Sequence, residues 1–340
     1  GKKRMPQRTL AAALLAALLT ATAAEAVPAE PDPHPFWVDP NSDAARQAET
    51  WQEAGRTEDA RVMRRIADQP TPTWLADADP TFGIERAVRQ AKGRTVLLVA
   101  YRIPHRDCGR YSAGGAESGP AYLRWIDRFA DAVGQAPALV VLEPDAVPHL
   151  LDGCTPARFH DERFDLLDKA IDRLKRQPRT KVYLDAGHPA WVPNPWRMVP
   201  ALMRSGVADA DGFALNVSNF RADAEVITYG ETLGELLGGK HFVMDTSRNG
   251  SGPPPPGMNE PWCNPPGRTL GRTPTTATGH PRIDAFLWIK HPGDSDGACR
   301  GAPPAGEWWP EYALDLARRT DKSPKDSVAI ADEDRRARKQ

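Results

Sequence analysis

Apolar residues along this chain gather into six short continuous runs, at residues 95–101, 138–142, 181–184, 212–215, 241–244 and 285–289, each followed closely by a polar or charged residue. A strand buried on both faces reads as such a run rather than as an alternation, and strands of that kind belong to parallel sheets. Between the runs the period changes. Tyr122, Ile126, Phe129 and Val133 fall at i, i+4, i+7 and i+11 within 117–135, and Phe164, Leu167, Ile171 and Leu174 continue in the same manner within 161–176; both stretches predict amphipathic helices that pack on a sheet. Residues 43–67 also read as helical, and 73–76 supply a seventh strand ahead of the six runs. Strands alternating with helices mean parallel βαβ units. In an α/β barrel the active site is built at the strand C-termini, so the residues after the runs are expected to converge on one cleft: Asp107, Glu143, Asp145, Asp185, His188, Asn216, Asp245, Lys290 and Asp296.

The two ends read differently. Lys2, Lys3, Arg4 and Arg8 precede the apolar stretch 10–19, and Ala21-Thr22-Ala23 or Ala24-Glu25-Ala26 offers a small-residue cleavage site, so residues 1–26 have the pattern of a secretory signal peptide. That stretch is too short for a membrane anchor, and the protein is expected to be secreted and extracellular. Residues 27–34 form a proline-rich lead, 35–320 one large α/β domain, and 321–340 a charged tail expected to be disordered. Within the domain, 249–264 carries Pro253 to Pro256 in succession among glycines, so neither helix nor strand passes through it.

Charge narrows the partner classes. A formal net charge of -1 leaves no electrostatic footprint for nucleic acid or an anionic membrane, and a neutral partner is expected. In an exported chain, four cysteines imply disulfides, with three possible pairings. Sequence proximity favours Cys108 with Cys154 and Cys263 with Cys299 without excluding the others. No CxxC or HExxH spacing occurs, and neither a metal nor a cofactor is expected.

Asp107, Asp145, Asp185 and Asp296 are the chemically informative set. Any one of them alone reads more readily as a loop cap or ion-pair partner, but crowded carboxylates cannot all ionise, and one is driven to hold its proton as a general acid must. With no GxSxG elbow and no glycine-rich phosphate loop, paired carboxylic acids point to glycoside hydrolysis. Ten tryptophans are consistent with this, because Trp37, Trp191 and Trp262 fall in loops or at strand ends, where aromatic faces can stack on sugar rings.

Five ordered stretches, Tyr101 to Gly109, Val140 to Asp145, Tyr183 to His188, Asp245 to Gly250 and Phe286 to Lys290, closely resemble glycoside hydrolase family 6, the secreted bacterial and fungal cellulases. The resemblance runs from about Phe36 to about Ala317. It implies a distorted seven-stranded parallel β/α barrel and hydrolysis of β-1,4-glucosidic bonds with inversion. Position by position, Asp145 resembles the general acid. Asp107 resembles the neighbour that keeps Asp145 protonated and helps pass a proton away from the attacking water. Asp296 matches the candidate base, Asp185 an electrostatic partner, and Tyr101 the residue that distorts the sugar. Trp37, Trp191 and Trp262 match stacking platforms; His188, Asn216, Lys290 and Asp294 match hydrogen-bonding positions. The resemblance also implies the pairs Cys108–Cys154 and Cys263–Cys299.

Two departures stand out. Many members of the family carry Glu where this chain has Asp294, and some use Ser at the position of Ala113, next to Ser112, to hold the catalytic water. No large insertion follows Asp185 or separates Lys290 from Glu307, which favours an open cleft and internal cleavage by a monomeric endo-β-1,4-glucanase acting on cellulose or a related β-glucan. The alternatives are an exo-acting cellobiohydrolase and a non-catalytic glucan-binding protein.

Overall fold

The computed structural model describes residue 32 and residues 34–320; the predicted signal peptide, most of the proline-rich lead and the charged tail lie outside the described residues. Seven parallel strands form one sheet in chain order, each bonded to its sequence neighbours: β1 (Thr73–Leu75), β2 (Val96–Ala100), β3 (Ala138–Leu142), β4 (Thr180–Asp185), β5 (Gly212–Leu215), β6 (His241–Asp245) and β7 (Ile283–Leu287). The helices among the described residues are α1 (Asp43–Glu53), α2 (Thr57–Ala67), α3 (Thr81–Ala91), α4 (Gly119–Val133), α5 (Pro148–Leu151), α6 (His160–Lys175), α7 (Pro195–Arg204), α8 (Asp223–Leu236) and α9 (Pro310–Arg319).

The continuous apolar runs have their predicted cause. Along β2, Val96, Leu98 and Ala100 pack toward the helices with Val140, Leu142 and Leu184, whereas Leu97 and Val99 turn inward to meet Leu139, Val141, Tyr183, Val243 and Leu287. Alternate residues thus enter different cores, and neither face of the strand tolerates a polar side chain. Tyr122, Ile126, Phe129 and Val133 of α4 and Phe164, Leu167, Ile171 and Leu174 of α6 are buried in the outer core.

The barrel does not close. Among the described residues no ladder joins β1 to β7; instead the Trp74 indole N–H donates to Ile289 O at 2.9 Å, and His291 bonds Pro72 O. A half-open seam of this kind is the distorted seven-stranded α/β barrel expected from the sequence.

Some boundaries moved for physical reasons. The segment 43–67 is two helices, broken at Gly55, whose φ is +76. The strand β7 ends at Leu287 although the apolar run continues, because Trp288 leaves the sheet for a second core made with α1, α2 and α9. Pro200 inside α7 and Gly230 and Gly234 inside α8 mask helices that the pattern did not reveal. Those glycines are needed: a Cβ on Gly230 would sit 2.4 Å from the Phe242 ring, and one on Gly234 2.5 Å from Lys240 O.

Both cysteine pairs favoured by proximity are bonded, Cys108 to Cys154 and Cys263 to Cys299. Replacing Cys263 and Cys299 together by Ser is expected to cost about 2–4 kcal/mol, chiefly by freeing the unfolded chain. Urea unfolding of the double variant measures it, and an unchanged midpoint would contradict the expectation.

Candidate active site

Asp145 leaves β3 with φ +73, two residues after Glu143 with φ +48. Left-handed conformations of non-glycine residues cost on the order of 1–3 kcal/mol each and persist only where surroundings dictate them. Here buried hydrogen bonds do so. The Glu143 carboxylate, fully buried, accepts from Arg102 N at 2.9 and 3.0 Å and from Ile103 N at 3.0 Å. The Asp145 N–H donates to Asp185 Oδ2 at 2.7 Å. The strand ends of β2, β3 and β4 are therefore tied together by carboxylates, and burial pushes Glu143 up to about 7 in spite of its donors.

The loop after β2 carries Asp107, also left-handed at φ +52, with Oδ2 accepting from Ser112 N at 2.8 Å. Burial opposes its ionisation, but His149 at 3.7 Å, the hydrogen bond from Ser112 N–H and the Arg110 charge hold it below the ordinary carboxylate range. Asp145 is shifted the other way. Burial, reinforced by the Asp107 anion and resisted by His149, pushes it up to about 6, and burial followed by repulsion from Asp145 pushes Asp185 up to about 8. Their titrations belong to the pair, which retains a proton near neutrality. This is the division of labour that acid catalysis by one carboxyl beside another requires.

Asp296 approaches from beyond β7 and is bound on all sides. Arg248 grips it bidentately at 2.8 and 2.9 Å, Asn264 N donates at 2.9 Å, and the Lys290 ammonium lies 3.4 Å away. Burial would raise its pKa, yet the two cations hold it low. Arg248 is itself completely buried and lies over the Phe220 ring at 4.3 Å. So committed an anion is a weak base.

Asp107, Asp145, Asp185 and Asp296 line one cleft of about 910 Å³ at the strand C-termini, together with Tyr101, His188, Trp191, Trp262, Lys290 and Asp294. Tyr101 stands at the floor, edge-on to Trp74 at 5.4 Å. Burial and the Asp145 and Asp107 charges raise its hydroxyl pKa well above the usual range. Burial depresses His188 to about 3, so it is a neutral hydrogen-bonding group. Its Nε2 meets Asn219 Nδ2 at 3.1 Å, while Nδ1 and Asp294 Oδ1 are buried without a hydrogen-bond partner among the described residues.

Two expected binding residues are elsewhere. Trp37 does not line the cleft; it is 8% exposed and packs in the outer core with Leu75 and Ile84, because Phe36 and Trp37 are drawn in by pairing of residues 35–37 with Thr95. Trp74 presents an aromatic ring to the cleft instead. Asn216 is fully buried and spent on the loops, its Nδ2 donating to Asp245 O at 2.9 Å and its Oδ1 accepting from Arg221 N at 3.1 Å; Asn219 lines the cleft. Asp245 is a scaffold too, accepting from Ser218, Ser247 and Lys290 N–H groups. Sequence reasoning also passed over His149 and Arg248. A residue four positions past Asp145, and an arginine within the Asp245 to Gly250 stretch, were the available signals.

Asp107, Asp145 and His149 bring ligand-capable atoms within 4.8 Å of one another. The Arg110 guanidinium already supplies a cation there, 3.7 Å from Asp107 and 3.4 Å from His149. The other such group, Cys108, His149 and Cys154, is closed by the disulfide.

A curled parallel sheet with carboxyl groups of opposed proton affinity at its C-terminal edge, beneath aromatic rings, defines a glycoside hydrolase that works by paired carboxylic acids. Residues 32–320 match the family described as Glycosyl hydrolases family 6, and the chain belongs to that family. It is 40% identical over 327 residues to endoglucanase A of Thermobispora bispora, covering 92% of this chain and 69% of that protein. To endoglucanase A of Cellulomonas fimi it is 42% identical over 293 residues, covering 83% of this chain and 61% of that protein's length. Among solved structures, the endoglucanase Cel6 of Mycobacterium tuberculosis, in complex with methyl-cellobiosyl-4-deoxy-4-thio-β-D-cellobioside, superposes with a TM-score of 0.78 at 44% identity, covering 84% of this chain and 97% of that one.

Proposed function

We propose that the protein is an extracellular, monomeric endo-β-1,4-glucanase that inverts the anomeric centre. The observation that carries this is the carboxyl arrangement: burial raises Asp145 to about 6, with Asp185 behind it at about 8, while Asp107 beside it is held below the ordinary carboxylate range. Asp145 Oδ–H gives its proton to the glycosidic oxygen as the C–O bond breaks, and water attacks the opposite face of the ring. An oxygen of Asp107 lies within 4.8 Å of one of Asp145. Direct base-assisted inversion uses about 6.5–9.5 Å, so Asp107 receives the proton of the attacking water through a second water. The Asp296 anion supports the developing positive charge of the sugar, and Tyr101 crowds the ring toward the half-planar shape of the transition state. Trp191, Trp262 and Trp74 supply stacking faces, and His188, Asn219, Lys290 and Asp294 supply hydrogen bonds.

Endo action is favoured on the β4 side, where only residues 186–194 separate β4 from α7, too short a segment to roof the cleft there. The relatives named endoglucanase point the same way. The basic and apolar N-terminal pattern supports export.

Two digests test the reading. Carboxymethyl cellulose is expected to lose viscosity early, before much soluble sugar appears, and proton NMR of a fresh cellohexaose digest is expected to show the α-anomer first. Cellobiose release without loss of viscosity would favour the cellobiohydrolase reading, and an initial β-anomer would overturn the roles given to Asp107 and Asp145.

A further inference from the structure

His149 lies on α5, four residues past Asp145, and its backbone N–H donates to Asp145 O at 3.0 Å. Its ring is 2% exposed, with Asp152 at hydrogen-bond distance from Nδ1, while at Nε2 the Arg110 Nη2 lies nearer than the Asp107 carboxylate. Asp152 Oδ2 lies 3.2 Å from Nδ1, and Asp107 Oδ1 lies 3.7 Å from Nε2. Asp145 completes a group whose ligand-capable atoms fall within 4.8 Å, and the charge of Asp185 also reaches the ring. The cation facing it is Arg110, with Nη2 3.4 Å from Nε2. On the outer side, Arg197 of α7 is occupied with Leu151 O, and the Trp191 ring meets the imidazole edge-on at 4.9 Å.

Both carboxylates are anchored. Asp152 accepts from Cys154 N at 2.8 Å and from the Trp191 indole at 2.9 Å. Cys154 is bonded to Cys108, the residue after Asp107. The disulfide thus spans the same gap as the imidazole and holds the two anions at a fixed distance around it. Two flanking carboxylates favour the charged ring over the neutral one, and His149 is accordingly raised above the ordinary histidine value even though burial opposes this.

We propose that His149 is a positioning residue of the reaction: its imidazolium, clamped between Asp152 and Asp107, keeps Asp107 ionised and sets the pH interval in which Asp107 is charged while Asp145 is protonated. It acts through those two carboxyls and not on the sugar, and the inference rests on the catalytic roles given to them above. The sign follows from charge. His149 lowers the pKa of Asp107, of Asp145 and of Asp185. Removing the cation therefore raises all three, moving the acid limb of activity, set by Asp107, and the alkaline limb, set by Asp145, upward together.

His149→Gln tests this, since an amide keeps hydrogen-bonding capacity and carries no charge. On cellohexaose both limbs of the kcat profile are expected to move up by about one pH unit, with KM changed by no more than about twofold. A uniform fall in kcat with both limbs in place would show a purely structural role and overturn the proposal, as would a rise in KM with unmoved limbs. Nitrogen-edited NMR of the wild-type imidazole gives a second reading that does not depend on the variant folding. Both ring nitrogens are expected to be protonated at about pH 6.5, and a ring that stays neutral from about pH 5 to 8 overturns the proposal. Should the wild-type protein fail to cleave β-1,4-glucan, the catalytic roles fall, while the titration still reports the charge of His149.

Discussion

Asp145→Asn is expected to lower kcat on unactivated β-1,4-glucan by about 10²–10⁴-fold while leaving affinity for cello-oligosaccharides nearly unchanged. The amide is almost isosteric with the acid but has no proton of suitable acidity for the leaving oxygen. The strained turn survives the change, because Asp145 is held through its backbone N–H to Asp185 and not through its own carboxyl. Glu143 continues to tie the turn to Arg102 and Ile103. Loss of rate with retained binding is therefore the signature of removing the acid. Turnover on barley β-glucan together with calorimetric binding of cellohexaose measures both, and a variant with near wild-type turnover would remove Asp145 from the role.

The second large effect is on stability. Arg248→Met strips Asp296 of its bidentate partner at a site where the arginine is wholly buried. Breaking a buried ion pair from one side leaves an uncompensated charge, at a cost of about 3–5 kcal/mol. Lys290 at 3.4 Å and the Asn264 N–H offset only part of this. Replacing Arg248 and Asp296 together by apolar residues of similar size is expected to recover much of the loss, because the remaining charge then disappears as well. Urea unfolding of the two single variants and the double variant closes the cycle. A loss below about 1 kcal/mol for Arg248→Met would mean that solvent reaches Asp296 freely.

The parallel sheet was readable because its signal is local. Each of the runs before Asp107, Asp145, Asp185, Asn216 and Asp245 declares a strand buried on both faces, and the register of β2, β3 and β4 brings the following carboxyls to one edge. Trp37 shows the limit of such reading. Loop position suggested an exposed platform, but a tryptophan has no sequence mark that separates stacking on sugar from packing under a helix. Asn216 failed in the same way: its place after β5 suggested the cleft, while its short amide found backbone partners in Asp245 and Arg221 first.

By itself, then, the order of apolar and polar residues determined the strands, their direction, the helices of strong period and the set of carboxyl groups available for chemistry, since these follow from burial and from covalent neighbours. Which carboxyl keeps its proton was decided only in three dimensions. The proton affinities of Asp107, Asp145, Asp185 and Asp296 depend on groups distant along the chain: Asp107 acts on Asp145, Asp145 on Asp185, Arg248 on Asp296 and His149 on Asp107. Desolvation and Coulomb interaction act across space within a few ångströms, and the folded chain sets those distances through left-handed turns at Asp107, Glu143 and Asp145 that the apolar and polar pattern does not announce.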